Sequence, residues 1–313
     1  MKISSKIKKH QYYSFILIAL YFLFRLMAES EKLPDYESYK NIFADPNNFS
    51  EWNIFFTSII IGTQFLFSYE AFRIAIFALG ALLFGRIRSV SIQKETLLLI
   101  FISCIILLEF YMIRLRAGLC IFLFYLALHF FNSKSRKLAL IVGVVSFGVH
   151  PGTFLTLGLV YWPQIAKIRL NLTFMFINIC LWILFLVYVN IAALGRGIHL
   201  DSEINSVRII ALIALPMIFY LVASSFHIRL LSNSSHSEFI GLITLNIALL
   251  ALYSGNFFLT SGEAIIRIYS LVSGPSMLYG LISHRDKWTF NQKYTAYLAL
   301  VINSLFFINT VYL

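Results

Sequence analysis

The sequence is poor in charge. Only 12% of its 313 residues are Asp, Glu, Lys or Arg, about half the share usual in a soluble domain. Such a chain cannot cover itself with an ordinary water-facing surface. Acidic residues are the scarcer kind, 14 against 25 Lys and Arg. No acidic pattern of the Asp-x-Asp kind is present to hold a metal, and no glycine-rich loop to cradle a phosphate. No apolar run carries carboxylates spaced along it as a proton relay would need. Three cysteines, Cys104, Cys120 and Cys180, all lie in apolar runs, and none pairs at ligand spacing. They read as small buried hydrophobes. Low-complexity segments, internal repeats and a separate polar domain are also lacking.

What is abundant is apolar sequence, 59% of the chain. Runs of membrane-spanning length recur from end to end, which predicts an all-α polytopic membrane protein. Residues 1–313 then form a single integral membrane domain. The net charge of +11 does not indicate a nucleic-acid partner. Its basic residues sit in short connectors between apolar runs, where they set orientation in a bilayer. The first 30 residues have a basic start, KIKKH, and an apolar stretch. Arg25 interrupts that stretch and no A-x-A site follows, so an uncleaved first span is expected.

The charge rule threads the chain. Lys2, Lys6, Lys8 and Lys9 place the N-terminus in the cytoplasm. Residues 12–29 cross outward, and the acid-rich segment 30–53 faces outside. Together, 30–68 form an outer loop with juxtamembrane helices. The run 54–85 is too long for one span. It is expected to begin as a surface helix over about 52–67, break near Ser68–Glu70 and then cross as far as Phe84. Residues 96–131 have basic flanks at both ends and read as a hairpin whose midpoint falls at Ile113–Arg114. Residues 138–162 also have basic flanks but are too short for two full spans. They read as two half-helices meeting at His150–Pro151–Gly152, a re-entrant hairpin lining a protein cavity. Segments 171–190, 207–226, 239–258, 264–283 and 294–312 each cross once. About 9–11 membrane helices result, counting the short hairpin.

With this threading most of the Lys and Arg fall on the cytoplasmic side, joined by only Glu95, Glu238 and Asp286 among the acids. Arg73, Arg114, Arg116, Arg208 and Arg267 instead gather at the outer ends of spans, with Glu70, Glu109, Glu263 and His150. Arginine grips phosphate with a planar fork of donors and keeps its charge. At headgroup level such a cluster suits a lipid-linked diphosphate. The acids and Tyr36, Tyr39 and Tyr269 suit sugar hydroxyls. These are the parts for sugar transfer from a polyprenyl-diphosphate donor, with a carboxylate or histidine taking the acceptor proton. In a regular helix Arg114 and Arg116 would point about 200° apart, so a turn over 112–116 is expected to let both converge. Structural roles compete with this reading. Arginines near span ends snorkel to headgroups. Glu263 with Arg267, and Glu70 with Arg73, stand at helical spacing where they can neutralise each other. An isolated membrane histidine is often a satisfied helix contact.

Five short stretches, in order, resemble the EpsG family of bacterial polysaccharide polymerases, related to Wzy-type O-antigen polymerases. They are DYESY (Asp35 to Tyr39), ADP (Asp45–Pro46), IRLRAG with Arg114 and Arg116, VHPGT around His150, and GEAIIRIYS with Glu263, Arg267 and Tyr269. The resemblance runs over most of the chain. It implies a GT-C-like helical bundle with a helical first outer loop. It implies polymerisation of undecaprenyl-diphosphate-linked repeat units on the outer face of the bacterial plasma membrane. The donor, the acceptor glycan and the bilayer would be its partners, with a flippase and a chain-length regulator beside them. Asp35 and His150 become the catalytic candidates. Tyr36, Tyr39, Glu70, Arg73, Arg114, Arg116, Arg208, Glu263, Arg267 and Tyr269 become substrate-binding candidates, and no metal or other cofactor is expected. A lipid-linked oligosaccharide flippase and another GT-C-like glycosyltransferase are the alternatives. A flippase should show repeats and a cationic cavity open to both faces; the sequence shows no repeat, and its unpaired charges gather on one side.

Overall fold

A computed structural model describes residues 36–46, 54–87, 102–103, 105–166, 172–194, 237–254, 262–284, 288 and 290–312. Among them are eleven α-helices and no strand. The chain divides into two compact units, the first comprising Met1–Leu155 with Ser304–Leu313, the second Thr156–Asn303.

The first unit begins with α1 (Tyr36–Ala44) in the expected outer loop. One side of α1 is aromatic and the other polar. Tyr36 and Ile42 are buried, while Glu37, Lys40 and Asn41 are exposed. Tyr39 meets Phe56 edge-on with ring centroids 6.1 Å apart, and Phe43 packs 5.5 Å from Phe72. These rings seat α1 on α2 (Ile54–Thr63) and α3 (Tyr69–Ile87). The helix expected over about 52–67 stops at Thr63, somewhat earlier than expected. Its last turn is closed by the Thr63 hydroxyl, which donates to the Ile59 carbonyl at 2.7 Å. Ser68 starts α3 as an N-cap, its Oγ accepting from the Ala71 N–H at 3.3 Å. The break therefore spans residues 64–68, somewhat before the Ser68–Glu70 expected, and Tyr69 and Glu70 are already helical.

Within 96–131, of which 102–103 and 105–131 are described, the chain turns sharply at Arg114. Residues 105–108 are helical and run into a π-helical turn, π1 (Glu109–Ile113). Arg114 then leaves helical geometry at φ −102°, ψ 59°, and α4 (Leu115–Asn132) begins at once. The turn is confined to Arg114 and does not extend over 112–116, so Arg116 is already helical. A straight helix would separate residues 110 and 118 by about 12 Å. Here the Phe110 carbonyl oxygen would lie 2.4 Å from a Cβ on Gly118. Only glycine fits where the chain folds back on itself so closely. Gly80 on α3 plays a similar part for the buried Tyr111 ring, whose Cε1 would stand 2.7 Å from a Cβ there.

A second tight turn joins α4 to α5 (Arg136–Val149). The Ser135 N–H donates to Phe130 O at 2.9 Å and the Lys134 N–H to Phe131 O at 3.2 Å. This is the Schellman pattern, and it needs a left-handed residue, supplied by Lys134 at φ 66°. α5 packs along α4, where the Ser146 hydroxyl donates to the Cys120 carbonyl at 2.9 Å. Then α6 (Pro151–Ala166) follows α5 after a single non-helical residue, His150. The expected pair of helices meeting at His150 is thus found. Gly152, however, is not the turn; it is helical, and His150 alone takes the extended conformation at φ −154°.

In the second unit, α6 from Thr156 onward meets α7 (Leu172–Leu194) and α8 (Ser237–Ser254) through a polar clasp. Trp162 Nε1 donates to Asn178 Oδ1 at 3.0 Å, and Asn178 Nδ2 to Thr244 Oγ1 at 2.8 Å. Phe174 and Ile240 close the apolar contact beside it. The segment 264–283 is not the single regular helix expected. It divides into α9 (Gly262–Leu271), a π-helical turn π2 (Val272–Ser276) and α10 (Met277–His284). Pro275 is the cause, since it offers no N–H to the Leu271 carbonyl. The Ser276 hydroxyl donates to that carbonyl instead, at 3.2 Å. The last helix is α11 (Phe290–Tyr312).

Of the described helices, one is long and apolar enough to cross a membrane, α4 over Leu115–Asn132. Thr173–Val189 and Ser237–Leu252 are shorter apolar stretches.

Candidate functional site

The most elaborate side-chain cluster joins α1 to the start of α3 in the first unit. Arg73 Nη1 lies 3.1 and 3.2 Å from the two Glu70 carboxylate oxygens. The guanidinium carbon stands 5.0 Å from the Tyr36 ring centroid and 5.5 Å from that of Tyr69. Tyr36 donates its hydroxyl to Glu70 Oε1 at 2.9 Å, and Tyr69 donates to the Tyr36 carbonyl at 3.3 Å. Arg73 is fully buried, whereas 29% of the Glu70 side chain remains accessible. A buried guanidinium needs a partnered charge, and Glu70 with two aromatic faces supplies it. Burial, and then the hydrogen bond to Glu70, keep the Tyr36 phenol protonated beyond its ordinary value near 10. The cluster fixes the beginning of α1, directly after Asp35.

Tyr69 belongs to this cluster and was not among the residues singled out in the sequence. Its signal was there: it precedes Arg73 by four positions, one helical turn.

The second cluster is the α4 turn. Arg114 Nη1 lies 3.3 Å from Glu109 Oε1, and its guanidinium covers the Phe110 ring at 5.5 Å. Glu109 is buried, and Arg114 is partly open. Arg116 is half-buried on the first turn of α4. That end of a helix carries exposed N–H groups and a partial positive charge. Two arginines placed there add to the same sign, and Glu109 pairs with Arg114.

His150 occupies a third position in this unit. Its carbonyl accepts from the Phe154 N–H at 3.0 Å, and its ring Nδ1 accepts from the Thr153 N–H at 3.1 Å. It is therefore the N-cap of α6, with Pro151 at the first helical position, where a missing N–H costs nothing.

The remaining candidates lie elsewhere or outside the described residues. Tyr39 is half-buried on α1, against Phe56. Arg267 and Tyr269 lie in the second unit on α9, the former exposed and the latter buried. Asp35, Arg208 and the Glu263 side chain are outside the described residues. Glu238, read in the sequence as a cytoplasmic flanking charge, is fully buried beneath Gly280 and close to Trp288. No group of three or more His, Cys, Asp or Glu that could hold a metal occurs among the described residues. Comparison with known proteins gives no matching family, no curated protein and no solved structure of significant similarity.

Proposed function

We propose that the chain is a membrane-embedded glycosyltransferase of the polysaccharide-polymerase type. It would join undecaprenyl-diphosphate-linked repeat units at the outer face of the bacterial plasma membrane, within a GT-C-like bundle. The observation that carries this reading is the turn at Arg114. Two arginines, one partly open, stand at the positive end of a helix of bilayer length. Cations there add to the helix's own positive end and favour the approach of an anion. A diphosphate at headgroup depth is such an anion.

Several further features support this reading. Leu140, Phe176, Leu184 and Ile191 are each more than half exposed, as apolar side chains are when lipid rather than water surrounds them. Phe65 and Leu66, in the turn between α2 and α3, are 83% and 77% exposed, which suits a turn dipping into the interface. In this scheme Arg114 and Arg116 hold the leaving diphosphate. Asp35 takes the acceptor proton, and the Tyr36–Glu70–Arg73 cluster positions it through α1. Tyr39 and the open edge of Glu70 face the sugars. Arg208 enters the substrate set on the threading alone, and Glu263, Arg267 and Tyr269 on the sequence pattern.

The test is deletion of the chain in its host, followed by electrophoresis of the surface polysaccharide. A polymerase null leaves single repeat units attached to the carrier or its acceptor. A flippase null leaves none, and an unchanged polymer ladder would remove both readings.

A further inference from the structure

We infer that Glu109 is a positioning residue: acting through Arg114, it orients the guanidinium toward the leaving diphosphate of the proposed transfer. The inference rests on the polymerase reading for its substrate, while the geometry of the pair stands by itself. The backbone of Arg114 is held from both sides. Its N–H donates to the Glu109 carbonyl at 3.2 Å, and its own carbonyl accepts from the Gly118 N–H at 2.9 Å. Gly118 in turn sits tight against the Phe110 carbonyl. What remains to be fixed is a long side chain with many rotamers. Glu109 Oε1 stands 3.3 Å from Nη1, and the Phe110 ring backs the guanidinium at 5.5 Å. The single turn π1 thus supplies the backbone acceptor, the carboxylate and the aromatic support.

Neutralising Arg114 does not require this arrangement. An arginine with 23% of its side chain accessible, at the end of a helix of bilayer length, reaches water or headgroups unaided. The carboxylate is only 6% exposed, and taking a carboxylate out of water is expensive. A pair buried in this way adds little stability over apolar packing, so fixing one geometry is the better account of it. The buried member is the anchor, and the more open member is the one a ligand can meet.

Orientation matters late in the transfer. The new bond forms between the acceptor oxygen and the anomeric carbon. The bond from that carbon to the diphosphate oxygen breaks, and its electron pair stays with the diphosphate. The acceptor proton goes to a carboxylate, for which Asp35 is the candidate. Negative charge on the diphosphate grows only as its bond breaks, so a guanidinium already aimed there helps the transition state more than the bound donor lipid. Glu109 therefore acts on kcat more than on KM.

Glu109→Asp separates positioning from neutralisation, because it keeps the charge but withdraws the carboxylate by about 1.5 Å. In proteoliposomes, with the lipid-linked repeat unit titrated, kcat should fall about 10- to 100-fold while KM stays within about 3-fold of wild type. In an Arg114→Lys background the same change should cost less than about 3-fold more, since the fork that Glu109 aims is gone. Glu109→Gln, of the same length without the charge, loosens the hold and should give the same split, smaller in size. Wild-type kcat per folded protein in Glu109→Asp and Glu109→Gln, or the same loss in both backgrounds, contradicts the inference. A second measurement needs no reaction. In the intact chain labelled with 15N-arginine, the Arg114 Nε–H is the signal lost in Arg114→Lys. Its relaxation should report an ordered side chain in wild type and a mobile one in Glu109→Asp; equal order in the two overturns the inference. If deleting the chain leaves the polymer unchanged, the polymerase reading fails and the role in transfer fails with it, while relaxation still decides whether Glu109 holds Arg114.

Discussion

Replacing Gly118 by Ala adds one carbon where the chain doubles back at Arg114. That Cβ would lie 2.4 Å from the Phe110 oxygen, 2.9 Å from its carbonyl carbon and 3.0 Å from the Tyr111 Cα. All three are backbone atoms, so no side chain can swing away. The oxygen must retreat by at least about half an ångström to reach even the closest contact that real methyl groups make. Phe110 and Tyr111 are themselves buried, at 0% and 1% exposure, so the shift passes into packed neighbours. Overpacking of this sort costs about 1–3 kcal/mol. It outweighs the gain of up to about 1 kcal/mol that Ala brings to a helix over Gly. Gly143 and Gly158 provide controls on α5 and α6, for nothing lies within 4 Å of a Cβ at either. Heating detergent-solubilised protein, followed by size-exclusion chromatography of what remains folded, should rank Gly118→Ala below wild type. Gly143→Ala and Gly158→Ala should equal or exceed it. If Gly118→Ala survives as well as the controls, the reversal is not as tight as described.

Other parts of the structure give independent outcomes. Tyr36→Phe removes the 2.9 Å bond to Glu70 and should destabilise the chain by about 1–2 kcal/mol, read by the same thermal assay. Because the folded state raises this phenol's pKa, the bond's contribution is complete below pH about 10 and fades as pH climbs past it, so the wild-type advantage over Tyr36→Phe should shrink only in strong alkali. Lys134→Gly relieves a left-handed residue at φ 66° and should stabilise the chain by about 1 kcal/mol. For sidedness, cysteines at Asn41 and Ser133, in a background without the native cysteines, should react with an impermeant reagent from the outside and only after lysis, respectively. The reverse pattern would invert the orientation.

The breaks in the chain were the most legible features, because each has a local cause. Ser68 caps a helix, and Pro151 disfavours helix at the residue before it. The π-turns were not legible. Glu109–Ile113 depends on Gly118, eight residues after Phe110, and that fit exists only once the chain has folded back. Pro275 signalled a disturbance, but its repair by the Ser276 hydroxyl is a tertiary detail. At the candidate site, the i, i+3 spacing of Glu70 and Arg73 foretold their pairing. It did not foretell that Tyr36, far away in sequence, would complete the cage. The His150 cap could have been read from His-Pro-Gly-Thr, since an N-cap followed by proline and a third-residue N–H is a local pattern. The burial of Glu238 was not legible either, since a lone charge beside a polar connector gives no sign that Gly280 and Trp288 will pack around it.

The central claim is that this chain alone extends a lipid-linked glycan, and purified protein in proteoliposomes tests it most directly. The host's undecaprenyl-diphosphate repeat unit, supplied on the face that carries Asn41, should be converted to a ladder of longer glycans. Each added unit should release one undecaprenyl diphosphate. Arg114→Lys and Arg116→Lys should both impair the ladder although the charge is kept, because Lys lacks the planar fork. Wild-type protein that leaves the repeat units unextended, while moving them to the opposite leaflet, would contradict the account.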